Sequence, residues 1–282
     1  GFFYSRYDAP EGEALKQANY YHKLCYHKLG TDQSEDKLVY DRPDQKGWLF
    51  FGRVSEDGRF LIINVEQGTA SENAQFILDL KDPQAQVVEL LPNFDAEYVF
   101  AGNDGSQLYF RTDLGAPQQR LVAIDLAQPE PEDWVELIHE SADKLEFVDY
   151  VGGRFICTYL HDAANKVKFF KPDGTPDGEL ALPGPGTVLG FAGRSDDTET
   201  FYKFSSFTTP GTVYHLDLIT REVTVFRQPE LAFDPGDYVT EQVFYPSKDG
   251  TQIPLFISHR KDLAINGDTP TYLYGYGGFN IP

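Results

Sequence analysis

The sequence contains no methionine and only two cysteines in 282 residues. A translated chain begins with Met, yet Gly1-Phe2-Phe3-Tyr4 reads like the middle of a strand. The other end stops at Asn280-Ile281-Pro282, just past a glycine turn. These features predict an internal piece of a longer protein; a complete chain that has lost its initiator is the alternative. Cys25 and Cys157 are far apart and in no metal-ligand spacing. That excludes a disulfide framework and a zinc–thiolate site, and fits a reducing, cytoplasmic compartment. Basic residues are scarce: 24 Lys and Arg against 44 Asp and Glu leave a net charge of −20. Nucleic acid and anionic membranes select Lys/Arg clusters, so neither is an expected partner. No apolar run reaches membrane-spanning length, and no charged-then-apolar leader opens the chain. Amphipathic helical stretches are nearly absent; the best candidate is residues 11–21, beside Pro10.

What the chain does have is short β-type runs. Hydrophobic residues make up 41% and aromatics 15% of it, enough to bury a real core. Runs of Val, Ile, Tyr and Phe are punctuated by Asp-Gly, Gly-Gly and Asn-Gly. A strand ending in Leu-Asp-Leu or a variant recurs: Phe76-Ile77-Leu78-Asp79-Leu80, Leu121-Val122-Ala123-Ile124-Asp125-Leu126, and Val213-Tyr214-His215-Leu216-Asp217-Leu218. Leu24 to Leu29 and Val167 to Phe170 occupy the same place in the rhythm. The ends fall at 29, 80, 126, 170 and 218, at intervals of 44 to 51 residues. A tight turn and another strand precede most of them, as in Asp57-Gly58-Arg59-Phe60 and Gly152-Gly153-Arg154-Phe155. A unit of this size with several strands is what a β-propeller blade needs. One four-stranded sheet cannot bury both faces alone, and stacking blades supplies the cover. About five units are expected, the first truncated; a β-sandwich with coincidental spacing is the alternative.

The rhythm stops after Leu218. Leu231-Ala232-Phe233-Asp234-Pro235-Gly236-Asp237 has a boundary composition, so residues 1–232 are read as a partial propeller and 233–282 as a second domain. In the latter, residues 238–245 and 252–259 form strands joined by a turn at Ser247-Lys248-Asp249-Gly250-Thr251. Residues 271–274 are expected to form a third, apolar strand running into Gly275-Tyr276-Gly277-Gly278-Phe279-Asn280. Such a loop suits an oxyanion hole of the α/β-hydrolase kind, because glycines let the backbone approach a tetrahedral intermediate. A plain turn between strand and helix is the alternative.

The rest of a hydrolytic apparatus is missing from the sequence. There is no Gly-x-Ser-x-Gly, no His-Glu-x-x-His, no phosphate loop and no dinucleotide fingerprint. Ser195 reads as a turn residue. His22, His27, His139, His161, His215 and His259 read as structural or surface residues. Acidic clusters such as Glu130-Pro131-Glu132-Asp133 read as solvated loops. No metal or other cofactor is expected.

Several segments carry a family resemblance. Val243-Phe244-Tyr245-Pro246-Ser247-Lys248-Asp249-Gly250-Thr251-Gln252-Ile253-Pro254 and Tyr274-Gly275-Tyr276-Gly277-Gly278-Phe279-Asn280 look like prolyl oligopeptidase. So do Leu29-Gly30-Thr31-Asp32-Gln33-Ser34-Glu35-Asp36 and Tyr159-Leu160-His161-Asp162. The resemblance implies a mainly β chain: about the last five blades of a seven-bladed β-propeller, then the first strands of an α/β-hydrolase domain. It implies a serine endopeptidase that cleaves short peptides after proline, monomeric when complete, with the propeller filtering substrates by size. The catalytic Ser, Asp and His would lie downstream of Pro282. The family's oxyanion tyrosine falls on Tyr276 and its proline-pocket aromatic on Phe279. A Trp before a blade strand matches at Trp48, with Leu49 beside it as an apolar wall. Some members place an Arg and a Cys toward substrate where this chain has Glu66 and Thr69. An acidic propeller scaffold without catalysis is the competing reading, and the Gly275–Asn280 loop speaks against it.

Overall fold

The computed structural model describes residues 1–8, 16 and 18–276. Two compact units divide the chain, 1–141 and 142–282. Strands dominate both. Among the described residues the helical elements are three short 3-10 turns, and no helix is long and apolar enough to cross a membrane.

The first unit holds three antiparallel sheets. β1 (Phe2–Arg6), β2 (Lys23–His27) and β3 (Lys37–Tyr40) form a three-stranded one. Next come four-stranded meanders in sequence order: β4 (Trp48–Val54), β5 (Phe60–Gln67), β6 (Asn73–Asp79) and β7 (Val88–Leu91), then β8 (Tyr98–Asp104), β9 (Gln107–Thr112), β10 (Arg120–Asp125) and β11 (Val135–Ile138). The second unit repeats the pattern. Its meanders are β12 (Lys144–Val151), β13 (Arg154–His161), β14 (Ala164–Phe170) and β15 (Pro176–Leu180), followed by β16 (Thr187–Gly190), β17 (Glu199–Ser205), β18 (Thr212–Asp217) and β19 (Val223–Arg227). A two-stranded hairpin, β20 (Tyr238–Pro246) and β21 (Gln252–Arg260), closes the series.

The sequence rhythm tracks one strand of each sheet. β2, β6, β10, β14 and β18 end within two residues of the expected positions. Each pairs with the strand after it through a register shift, at Leu24/Cys25, Gln75/Phe76, Leu121/Val122, Lys168/Phe170 and Val213/Tyr214. By this landmark β1–β3 correspond to the second to fourth strands of the later sheets.

The Leu-Asp-Leu signature has a local cause. The aspartate carboxylate accepts the backbone N–H two residues on, as Asp79 does from Lys81 (2.9 Å), Asp125 from Ala127 (3.0 Å) and Asp217 from Ile219 (2.8 Å). That Asx turn ends the strand. The following leucine then donates its N–H to the residue just before the preceding strand or its turn: Leu80 to Arg59, Leu126 to Ser106 and Leu218 to Thr198. Backbone donors aimed at the carboxylates hold Asp79 and Asp217 below the usual range. Part of the acidic excess is thus spent on turns.

Burial shows why sheets stack face to face. From Phe60 to Ile63 every β5 residue is buried, with alternate side chains serving two different cores. Leu61, Ile63 and Val65 pack with Leu24 and Phe50 toward the β1–β3 sheet. Phe60 and Ile62 pack with Tyr98, Phe100, Leu108, Phe110, Val122 and Ile124 of the β8–β11 sheet. A third core in the second unit joins Ile156, Val167 and Phe169 to Tyr202, Phe204 and Leu216. Truncating one of these large side chains to Ala costs about 2–5 kcal/mol.

Polar ties accompany these cores. At the start of each of three third-type strands, a side chain accepts a backbone N–H from the first strand of the next sheet. His22 Nδ1 accepts from Phe50 (2.8 Å), Asn73 Oδ1 from Tyr98 (2.7 Å) and Asn165 Oδ1 from Val188 (2.8 Å). Asn73 and Asn165 also donate their own N–H groups to Ala96 and Gly186, two residues before those donors.

The expectations fare unevenly at the edges. The hairpin at 238–259 forms with the turn at Ser247–Thr251. Residues 271–274 are not a strand: Tyr272, Leu273 and Tyr274 are extensively exposed, and among the described residues no neighbouring strand supplies ladder partners. The helix expected over 11–21 lies mostly outside the described residues, and residues 18–21 are not helical.

Candidate functional site

Tyr276, expected as the oxyanion donor, is exposed at the end of the described residues. Phe279 lies outside them.

Trp48 and Leu49 open β4 and, as successive strand residues, face opposite sides of the sheet. Trp48 stands opposite Gln67, packs its ring 5.1 Å from Phe94 and 6.4 Å from Phe76, and carries the Arg42 guanidinium 4.8 Å above it. Leu49 stands opposite Glu66, on the other face.

That second face leads to a cavity of about 380 Å³ within the first unit. It opens between the β4–β7 and β8–β11 sheets, where the apolar alternation Phe60, Ile62 gives way to Asn64 and Glu66 on the same side of β5. Glu66 and Thr69, aligned by the resemblance, both line it. Behind them lies a cluster of amides. Asn73 Nδ2 donates to Asn64 Oδ1 (2.6 Å) and to the Tyr98 carbonyl (2.9 Å). Gln75 Nε2 donates to the same two acceptors, at 2.7 and 2.8 Å. Asn64 Nδ2 donates to Glu66 Oε1 at 2.7 Å. Because both acceptors demand the NH₂ end of Gln75, its Oε1 is forced the other way, where it is buried without a partner.

The charged groups around the cavity divide clearly. Glu97 is engaged on both oxygens, by the Arg111 Nη2 cation at 3.3 Å and by the neutral Gln119 Nε2 donor at 2.7 Å. Arg53 donates from Nη1 to the Phe100 carbonyl at 2.9 Å and lies over that residue's ring. Glu66, half-buried, has one oxygen engaged by Asn64.

The histidines fall into structural settings. His27 meets Asp36 at 2.7 Å, His139 meets Glu136 at 2.8 Å, His161 meets Asp143 at 2.6 Å and His215 meets Glu199 at 2.8 Å. Burial pushes the His22 imidazole below its ordinary value, in keeping with its acceptor role. Ser195 sits in a turn. Sequence reasoning missed the amide cluster. Its signal was there: Asn64 interrupts Leu61-Ile62-Ile63 and Val65, and Asn is disfavoured inside strands.

Comparison with known proteins agrees with this architecture. The family described as "Prolyl oligopeptidase, N-terminal beta-propeller domain" matches residues 1–229. The chain is 38% identical over its full length to the prolyl endopeptidase of Elizabethkingia miricola, and 32% identical to the dual function macrocyclase-peptidase POPB of Amanita bisporigera. It spans about 40% of the length of each. Among solved structures, prolyl oligopeptidase B from Galerina marginata, bound to a 35mer hydrolysis and macrocyclization substrate, matches with a TM-score of 0.85 at 30% identity. That match covers 94% of this chain and 38% of the other. A structure from a study of two prolyl endopeptidases matches with a TM-score of 0.79 at 38% identity, over 93% of this chain and 37% of that one.

Proposed function

This chain belongs to the prolyl oligopeptidase family, through that family's N-terminal β-propeller domain, and from that premise we propose that it serves a serine endopeptidase cleaving short peptides on the carboxyl side of proline. The observation that carries the reading is the match of the family's propeller domain over residues 1–229. In this reading residues 1–232 are propeller and 233–282 begin an α/β-hydrolase domain. The separate β20–β21 sheet, paired with none of the four-stranded ones, supports that division.

The chemistry is divided accordingly. A serine downstream of Pro282, activated by a histidine that an aspartate orients, attacks the prolyl carbonyl. Tyr276 donates its hydroxyl to the developing oxyanion, where a hydrogen bond strengthens as charge builds. Phe279 offers a flat apolar wall to the pyrrolidine ring, which has no donor to satisfy. Trp48 and Leu49 add apolar surface from the propeller side. The stacked sheets restrict which peptides enter.

The test uses the full-length gene product. It should hydrolyse a Gly-Pro chromogenic substrate and take up one equivalent of a serine-directed phosphonate on a residue beyond position 282. Residues 1–282 alone should do neither. A full-length protein inert in both assays would point to a propeller scaffold instead.

A further inference from the structure

We propose that Asn266 deamidates spontaneously in the folded protein, through a cyclic imide closed by the backbone nitrogen of Gly267. The inference is independent of the peptidase reading: it assigns a covalent modification site whose reagents are water and hydroxide.

The chain has a single Asn-Gly pair, in the loop that follows β21. Asn-Gly commonly builds a tight hairpin turn with positive φ. Here it builds none: Gly267 is not among the positive-φ glycines, and a Cβ placed on it meets nothing within 4 Å. The backbone does not demand glycine at this place, but glycine leaves the nitrogen uncrowded. Residues 262–268 are all exposed. The Thr269 N–H donates to the Asn266 carbonyl at 3.4 Å, closing a turn that makes no use of the Gly267 N–H. Among the described residues that N–H has no hydrogen-bond partner. Asn266 Oδ1 accepts the Asp268 N–H at 3.0 Å and the Thr269 hydroxyl at 3.2 Å. A backbone N–H only donates, so the oxygen end of the amide is fixed toward it, and Nδ2 is left without a protein partner.

These features fit one reaction. Hydroxide takes the Gly267 amide proton. The nitrogen attacks Asn266 Cγ, forming a C–N bond, while the carbonyl electron pair moves onto Oδ1. The Asp268 and Thr269 donors already aimed at that oxygen stabilise its charge, as an oxyanion hole does. Collapse restores the carbonyl and breaks the Cγ–Nδ2 bond; the nitrogen takes a proton from water and leaves as ammonia. Water then opens the imide at either carbonyl, giving aspartate or isoaspartate. Conversion adds a negative charge to the loop between β21 and Tyr276, and the isoaspartate form lengthens its backbone by a methylene.

No other asparagine among the described residues combines these features. Asn64, Asn73, Asn103 and Asn165 lie in paired strands. Asn19 and Asn93 precede Tyr20 and Phe94, whose side chains crowd the following nitrogen. In the Asp-Gly turns the side chain is an anion at neutral pH, which repels an anionic nitrogen and carries no amine to expel.

The test incubates the folded full-length protein in mildly alkaline heavy-oxygen water, then digests it in ordinary water for mass spectrometry. Heavy oxygen then marks only conversion that took place before digestion. The peptide carrying Asn266 should gain the label at a rate that rises with hydroxide concentration, at least about tenfold faster than the peptide carrying Asn93. Gly267→Ala, which the open space around Gly267 accommodates, sets a methyl beside the attacking nitrogen and should slow labelling by about tenfold, a barrier rise of about 1.4 kcal/mol. Its thermal melt should match that of the parent. Labelling at Asn266 no faster than at Asn93 overturns the site. Labelling undiminished in Gly267→Ala overturns the imide route.

Discussion

Replacing Asn73 by Ala should loosen the junction between the β4–β7 and β8–β11 sheets far more than replacing Gln75, although both side chains donate to the same two acceptors. In Asn73→Ala, Asn64 Oδ1 and the Tyr98 carbonyl keep Gln75 Nε2 at 2.7 and 2.8 Å. The Tyr98 N–H, bonded at 2.7 Å to Asn73 Oδ1, is left with nothing. An orphaned buried donor costs about 1–3 kcal/mol, and the small void where the amide stood adds about 1 kcal/mol. The sum, about 2–4 kcal/mol, corresponds to a roughly 30- to 1000-fold increase in the local opening equilibrium. In Gln75→Ala the same acceptors keep Asn73 Nδ2, and an unpartnered buried oxygen is removed, so only about 1 kcal/mol of packing is lost. Hydrogen exchange read by mass spectrometry on a peptide spanning Tyr98 to Asp104 measures the difference. Equal acceleration in the two variants, or none in Asn73→Ala, would refute the reasoning.

Two further outcomes follow from other sites. His22 accepts the Phe50 N–H as a neutral ring, and its folded value lies below its unfolded one. The unfolded chain therefore binds the proton first as pH falls, and stability drops from near pH 6.5 until the folded value is reached. Urea midpoints between pH 7.5 and 5 should show that decline, and His22→Asn, which keeps an acceptor without a titration, should flatten it; an unchanged slope removes His22 as the cause. On the proposed peptidase reading, Tyr276→Phe in the full-length protein should lower kcat by about 10²–10³-fold with the thermal melt unmoved, and an unchanged kcat in a folded variant would reduce Tyr276 to a packing aromatic.

How much of this was legible in the sequence depended on whether a feature repeats locally. The Leu-Asp-Leu endings were readable because Asp79, Asp125 and Asp217 each solve the same turn with the same short-range bond. The β20–β21 hairpin was readable because Ser247–Thr251 is a local turn signal. The segment at 271–274 misled, since its apolar character promises a strand but a strand needs a neighbour that composition cannot supply. The cavity and its amide cluster were not legible as a site. They arise from Asn64, Asn73, Gln75 and Tyr98, which come together only after two sheets stack. Tyr276 and Phe279 were reached through family resemblance alone.

The register shift shared by the third and fourth strands has a consequence for the protein's life in a crowded solution. β3, β7, β11, β15 and β19 are the last strands of their sheets, and each is only four or five residues long. A bulge twists the strand that carries it and breaks the even row of donors and acceptors a foreign strand would need. Short, kinked borders of this kind are poor templates for edge-to-edge addition. A chain built almost wholly of strands thus carries, at the outer border of each meander, its own guard against cross-molecular sheet growth.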